Sequence, residues 1–186
     1  MKPTTWALIA GVVVLGVLVM TKRRTQSPQE RRSESGEGDG SRPLYNASRL
    51  TNEQQAMAEL IRNEAESSGL NPAFMIALAV TESSLNPRAI GDDGLSFGLF
   101  QLNKNFHRYP ESQLLDPIFN ADTAMVEMLS LLRRFPGNSF NDYAEAWTLG
   151  GSGRFTKGRR NPVKRQTMQR AVDDLDLVLD LMEVPA

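Results

Sequence analysis

The sequence predicts a mainly α-helical domain, and two observations support this. Apolar residues recur at helical spacing in five segments after residue 50, and each segment begins with a helix-start signal or ends with a stop signal. Between Pro87 and Phe97 no helical period occurs, and Gly91-Asp92-Asp93-Gly94 is typical of a tight turn. We therefore expect a helical domain that carries a small hairpin or irregular loop.

The helices follow from these local signals in chain order. Thr51 with Gln54 matches a capping box, and Asn-Pro or Asp-Pro pairs open three later helices, with the polar residue as N-cap and proline at the first position. Gly69 and the pair Pro136-Gly137 supply stop signals. The predicted helices cover residues 52–68, 72–84, 117–135, 141–149 and 162 onward.

Glu82 is the candidate catalytic residue. It lies seven residues after Met75, with Leu78 and Ala79 at the third and fourth positions between them, so the four share one face of the second helix. Burying a carboxylate is costly, so a carboxyl group on an apolar face is expected to have a raised pKa and can act as a general acid. A glutamate near a helix end is more often a solvated surface residue.

The N-terminal part predicts a membrane anchor and a tether. Residues 6–20 are uninterruptedly apolar, so residues 4–21 approach the length of a spanning helix, and Lys22-Arg23-Arg24 gives a basic flank. The alternative, a cleaved signal peptide, lacks a small-residue cleavage site. Residues 25–46 are polar and rich in Ser, Gly and Glu, which predicts a disordered linker. The domains are therefore residues 1–24, 25–46 and 47–186.

Composition narrows the possible partners and cofactors. The chain has no cysteine and one histidine, so no metal site or other cofactor is expected. Net charge is −1, so nucleic acid is not an expected partner. Residues 154–170 hold seven basic and no acidic residues, read either as a solvated surface or as a rim facing an anionic polymer. The sequence does not indicate an oligomeric state.

Four motifs in order resemble the soluble lytic transglycosylase family, which is related to goose-type lysozyme. They are ALAVTESSLNP at residues 77–87, GLSFGLFQL at 94–102, LDPIFN at 115–120 and AWTLG at 146–150. They are similar to the family's Glu-Ser helix end, G-L-M-Q segment, D-P-x-x-N helix start and A-Y-N-x-G segment. Trp147 stands where the family usually has tyrosine, and Thr148 where it has asparagine.

The resemblance implies a lysozyme-like fold and a peptidoglycan lytic transglycosylase. Such an enzyme cleaves the β-1,4 bond between N-acetylmuramic acid and N-acetylglucosamine and leaves a 1,6-anhydromuramoyl end, with a single carboxyl as acid and then base. Glu82 is implied as the catalytic residue. The implied substrate-binding residues are Ser83, Gly98, Gln101, Trp147 and Thr148.

Two alternatives stay open. Asp92 or Asp93 as a second carboxylate would make the enzyme a lysozyme-like hydrolase, and loss of activity would leave a peptidoglycan-binding or virion structural protein. The expected location is a virion membrane or a bacterial inner membrane facing the periplasm. More positive charge follows the apolar segment than precedes it, which favours a cytoplasmic domain and conflicts with wall cleavage.

Overall fold

The computed structural model describes residues 45–150 and 153–177, which all fall in one compact unit, Arg42–Ala186. The described part is mainly helical with a small antiparallel sheet, which confirms the predicted class. A short 3-10 helix, Ala47–Arg49, comes first. The other elements are α1 Asn52–Ser68, α2 Pro72–Ser83, β1 Ile90–Gly91, β2 Ser96–Phe97, β3 Leu102–Asn103, α3 Glu111–Leu114, α4 Pro117–Arg134, α5 Phe140–Thr148, α6 Gly153–Lys157 and α7 Pro162–Asp174.

The local start and stop signals act as predicted. Both hydrogen bonds of the capping box between Thr51 and Gln54 are present, and Gly69 ends α1 with a left-handed φ of 72°. The side chain of Asn71 accepts a hydrogen bond at the start of α2, and that of Asp116 accepts two at the start of α4. The short helices α3 and α6 were not predicted.

The segment after α2 forms a three-stranded antiparallel sheet in the order β1-β2-β3. Asp92 and Asp93 have φ values of 49° and 52°, and the N–H of Gly94 donates to the carbonyl of Gly91 at 3.0 Å. Two successive positive φ values suit the right-handed twist of a hairpin. Of the two predicted alternatives, a hairpin or an irregular loop, the structure has the hairpin, and β3 extends it by a strand that the sequence did not indicate.

Helix α2 is the centre of the core, and this placement positions Glu82. All seven residues from Ala73 to Ala79 are buried, and the helix packs against α1 on one side and α7 on the other. A helix that is apolar all round is one that neighbours surround. Only its last turn, which carries Glu82, opens toward the small sheet and the cleft described below.

The folded domain begins before the predicted boundary at residue 47. Tyr45 is buried and its hydroxyl donates to Glu59 at 2.6 Å, while the N–H of Asn46 donates to the carbonyl of Leu175 at 2.7 Å. These two residues therefore belong to the domain and not to the linker. Across residues 45–150 and 153–177, no helix has the length and apolarity needed to span a membrane. The predicted anchor and most of the linker lie outside the described residues.

Candidate active site

Glu82 lines a cleft of about 580 Å³ between the small sheet and helices α4 and α5. Of the predicted site residues, Gln101, Trp147 and Thr148 line the same cleft. Ser83 and Gly98 are not among its lining residues. The other lining residues are Asp92, Ser96, Leu102, Asn103, Phe106, His107, Glu127, Ser130, Leu131, Arg134 and Gly150.

The carboxyl group of Glu82 forms an ion pair with a buried lysine. Lys164 Nζ lies 2.6 Å from Glu82 Oε1 and also donates to the hydroxyl of Thr81. Lys164 does not line the cleft, and its side chain is only 6% exposed against 15% for Glu82. The sequence predicted apolar neighbours for this carboxyl, and the structure corrects that expectation because a charged group faces it.

Burial changes the acid–base behaviour of the lysine. Removal from water lowers the pKa of Lys164, and the charge of Glu82 and its hydrogen bond oppose that effect. The charged form of Lys164 therefore depends on its contact with Glu82. Lys164 is therefore part of the candidate site, because its amine forms an ion pair with the candidate catalytic carboxyl group.

Asn120 fixes the loop between β2 and β3. Its Oδ1 accepts from the N–H of Phe100 at 2.9 Å, and its Nδ2 donates to the carbonyls of Phe97 and Leu114 at 2.9 and 2.8 Å. Asn120 is fully buried, so it supplies these backbone groups with partners that water cannot replace. The asparagine of the third motif is thus a loop-holding residue.

Gly98 packs against that asparagine. Its φ is +75°, and a Cβ there would lie 2.4 Å from Asn120 Nδ2 and 2.5 Å from the carbonyl oxygen of Leu114. A side chain is therefore excluded by both space and backbone conformation. The geometry gives Gly98 a packing role, and its contact with substrate stays a prediction.

Ser83 joins helix α2 to the loop between β2 and β3. Its hydroxyl group lies 2.9 Å from the carbonyl of Leu99 and 3.2 Å from that of Ala79. With Asn120 this hydrogen bond fixes the loop relative to the end of α2, next to Glu82. Ser83 contributes to the site through this position, and its predicted contact with substrate is not tested.

Gln101, Trp147 and Thr148 line the cleft, and their contact with substrate stays a prediction. The amide of Gln101 donates to the carbonyl of Gly98 at 3.0 Å, and the indole of Trp147 donates to the carbonyl of Phe100 at 3.2 Å. Thr148 is exposed at the end of α5. Half-buried, Trp147 presents an aromatic surface to the cleft, which suits a sugar ring.

The cleft lining also includes a second glutamate, which the four motifs did not indicate. Glu127 on α4 lies 3.3 Å from Nε2 of His107, and burial raises the pKa of Glu127 to about 7. Burial also lowers the pKa of His107. Glu127 lies three residues after Ala124 and four before Leu131, which are both buried, so the periodicity of α4 gives a signal for it.

Lys164 also has a signal in the sequence. With Met168, Ala171 and Leu175 it falls at positions i, i+4, i+7 and i+11, on the buried stripe of α7. The periodicity argument that selected Glu82 applies equally to this lysine. The basic character of residues 154–170 as a whole obscures this signal.

Apart from Lys164, the basic side chains of residues 154–170 fall into two groups. Arg154 and Arg165 form ion pairs of 2.8 to 3.1 Å with Asp142 and Glu145 on α5, and these pairs join α5, α6 and α7. Although burial by itself raises the pKa of Asp142, hydrogen bonds from Ser139 and Arg154 lower it overall. The exposed basic side chains are Lys157, Arg159, Arg160 and Arg170.

The candidate site is a glutamate at the end of a buried helix, facing a cleft beside a small antiparallel sheet. The chain belongs to the transglycosylase SLT domain family, because the sequence model of that family, described as "Transglycosylase SLT domain", matches residues 59–165, more than half of the chain. This match contains Glu82, all the predicted binding residues and Lys164. It confirms the family that the four motifs indicated.

A solved structure is also similar to this chain. It is an inactive mutant of the lytic transglycosylase Slt from Pseudomonas aeruginosa, with 21% sequence identity and a TM-score of 0.47. The similarity covers 61% of the present chain and 22% of that longer chain. No curated protein matches the sequence.

Proposed function

We propose that this protein is a peptidoglycan lytic transglycosylase that uses Glu82 as its catalytic acid and base. The observation that carries the proposal is the place of Glu82 on the cleft wall, at the end of the central helix and within the matched family domain. Polar and aromatic groups on the same wall suit an N-acetylated sugar, since Gln101 offers an amide and Trp147 a ring face.

In the first step, protonated Glu82 donates its proton to the glycosidic oxygen, and the bond to the muramoyl C1 breaks. The N-acetyl group of the muramoyl residue supports the oxocarbenium-like centre. In the second step, the Glu82 carboxylate removes the proton from the C6 hydroxyl of the same sugar, whose oxygen bonds to C1 and closes the 1,6-anhydro ring. Glu82 is protonated again at the end of the second step, and no water is consumed.

A hydrolase is the second candidate, and Glu127 is the observation that favours it. Glycosidases that add water commonly use two carboxyl groups, and Glu127 lines the same cleft as Glu82. Asp92, the carboxylate suggested by the sequence, also lines it and accepts a hydrogen bond from Ser96. Neither residue is required by the single-carboxyl mechanism.

The released products distinguish the two candidates. We expect mass spectrometry of digested peptidoglycan to show 1,6-anhydro ends, which are lighter than reducing ends by one water. We also expect the Glu127→Gln enzyme to release the same products, because Glu127 takes no part in ring closure. Reducing ends from the wild type, lost in Glu127→Gln, would instead establish the hydrolase.

An exposed aromatic at the cleft edge provides a second test. Phe106 is 78% exposed and lines the cleft, so a bound sugar ring could cover it. We expect Phe106→Ala to raise KM for glycan strands about fivefold, about 1 kcal/mol, with kcat nearly unchanged. The control is Val163→Ala, which removes an equally exposed apolar side chain outside the cleft. An unchanged KM in Phe106→Ala would place the glycan elsewhere.

We further propose that residues 4–21 anchor the protein in a membrane and that the polar linker lets the domain reach the wall. The support is the apolar run at residues 6–20 and its basic flank. Two settings fit a tethered wall-opening enzyme, a phage particle during entry and a bacterial envelope under remodelling. Membrane fractionation of the full chain and of a variant lacking residues 1–24 tests the anchor, and equal solubility of both contradicts it.

A further inference from the structure

The carboxyl group of Glu82 has two differently placed oxygens. Oε1 lies 2.6 Å from Lys164 Nζ, whereas Oε2 has no hydrogen-bond partner among the residues that the structure describes. Lys164 does not line the cleft and Glu82 does, so the lysine contacts the carboxyl from its buried side. The oxygen that is left for the substrate is Oε2.

The buried lysine is itself held in place. Its Nζ donates to the hydroxyl of Thr81, one residue before Glu82, and that hydroxyl donates to the carbonyl of Leu78 at 2.8 Å. Its stem lies on the buried stripe of α7, which packs against α2. Lys164 therefore has little freedom to leave Glu82, and its position is determined by helix packing.

We propose that Lys164 is a positioning residue that holds Glu82 through Oε1, stabilises the carboxylate form and thereby sets the alkaline limit of the enzyme's activity. This inference rests on the proposed function, in which Glu82 must carry a proton to begin the reaction. A cation at this distance favours a charged carboxylate, so a neutral residue in its place is expected to extend activity to higher pH. The same contact stabilises the carboxylate that is left after proton donation.

The other titratable groups around the pair are already engaged or lie on the cleft walls. Burial lowers the pKa of Lys164, and the contact with Glu82 opposes that effect. On α7, Arg165 is paired with Glu145 and Asp142. The titratable groups that line the cleft with Glu82 are Asp92, His107, Glu127 and Arg134.

The test is the pH profile of peptidoglycan cleavage by the purified full chain. In Lys164→Met, which keeps the length of the stem and removes the charge, we expect the alkaline midpoint of kcat/KM to rise by about one to three pH units. Lys164→Arg keeps the cation and should leave the midpoint close to that of the wild type. Lys157→Met removes an exposed charge and is the matched control.

Lys164→Gln answers the same question if the methionine variant does not fold, since an amide can still donate to Thr81. A midpoint that is unchanged or lower in the folded neutral variant would overturn the inference, because a merely structural lysine affects stability and not the pH profile. Glu82→Gln separates the two proposals. If it cleaves as fast as the wild type, the proposed function fails. If it is inactive while Lys164→Met or Lys164→Gln keeps the wild-type profile, only the role of Lys164 fails.

Discussion

Replacing Glu82 by glutamine is expected to reduce peptidoglycan cleavage by about 10³-fold or more, because the amide can neither donate the acidic proton nor recover it. The substitution is nearly isosteric, and the amide oxygen can still accept from Lys164, whose Nζ lies 2.6 Å from Oε1 in the wild type. The fold should therefore persist. Release of soluble muropeptides from purified peptidoglycan measures the loss.

Glu66→Gln is the matched control, since Glu66 is an exposed glutamate on the neighbouring helix α1. It should cleave at the wild-type rate. Thermal unfolding followed by circular dichroism shows whether either variant has lost structure. A folded Glu82→Gln protein with wild-type cleavage would remove Glu82 from the mechanism and with it the single-carboxyl proposal.

Replacing Asn120 by alanine is expected to cost about 3–5 kcal/mol of unfolding free energy, the largest effect on stability that we expect from a single polar residue. The substitution leaves the N–H of Phe100 and the carbonyls of Phe97 and Leu114 without their side-chain partner. Each buried polar group left unsatisfied costs about 1–3 kcal/mol. It also opens a space beside Gly98.

Chemical denaturation at constant pH measures this change. Asn105→Ala is the control, because Asn105 is an exposed asparagine on the loop after β3, and its change should stay within about 0.5 kcal/mol. If Asn120→Ala also lowers cleavage in protein that is still folded, the loop that carries Gln101 has moved relative to Glu82. A loss below about 1 kcal/mol would mean that water replaces the side chain and that the loop is held by other contacts.

Much of the local structure could be predicted because its causes lie within a few residues of one another. The capping box of Thr51, the left-handed Gly69 and the Asn71-Pro72 helix start all depend on contacts between residues up to four positions apart. The short elements α3, α6 and β3 were missed since four or five helical residues, or two in a strand, give no measurable periodicity.

Some residues of the candidate site could likewise be predicted from the sequence, and others could not. Glu82, Gln101 and Trp147 were selected from the sequence, and the structure brings them to one cleft. Glu127 shares a helix face with the buried Ala124 and Leu131, but periodicity does not show that this part of α4 meets the cleft, which only the packing of the helix decides. His107, its partner, lies on a loop that has no periodicity at all.

The sequence by itself determined the five longer helices, the turn between β1 and β2, the family and the candidate catalytic carboxyl group. Only the tertiary structure decided what that carboxyl faces, since Lys164 is 82 positions away along the chain. Periodicity shows that both residues lie on buried faces of their helices, and it does not show which faces meet. The packing of α7 on α2 makes that choice, and it places a cation where the sequence predicted an apolar wall.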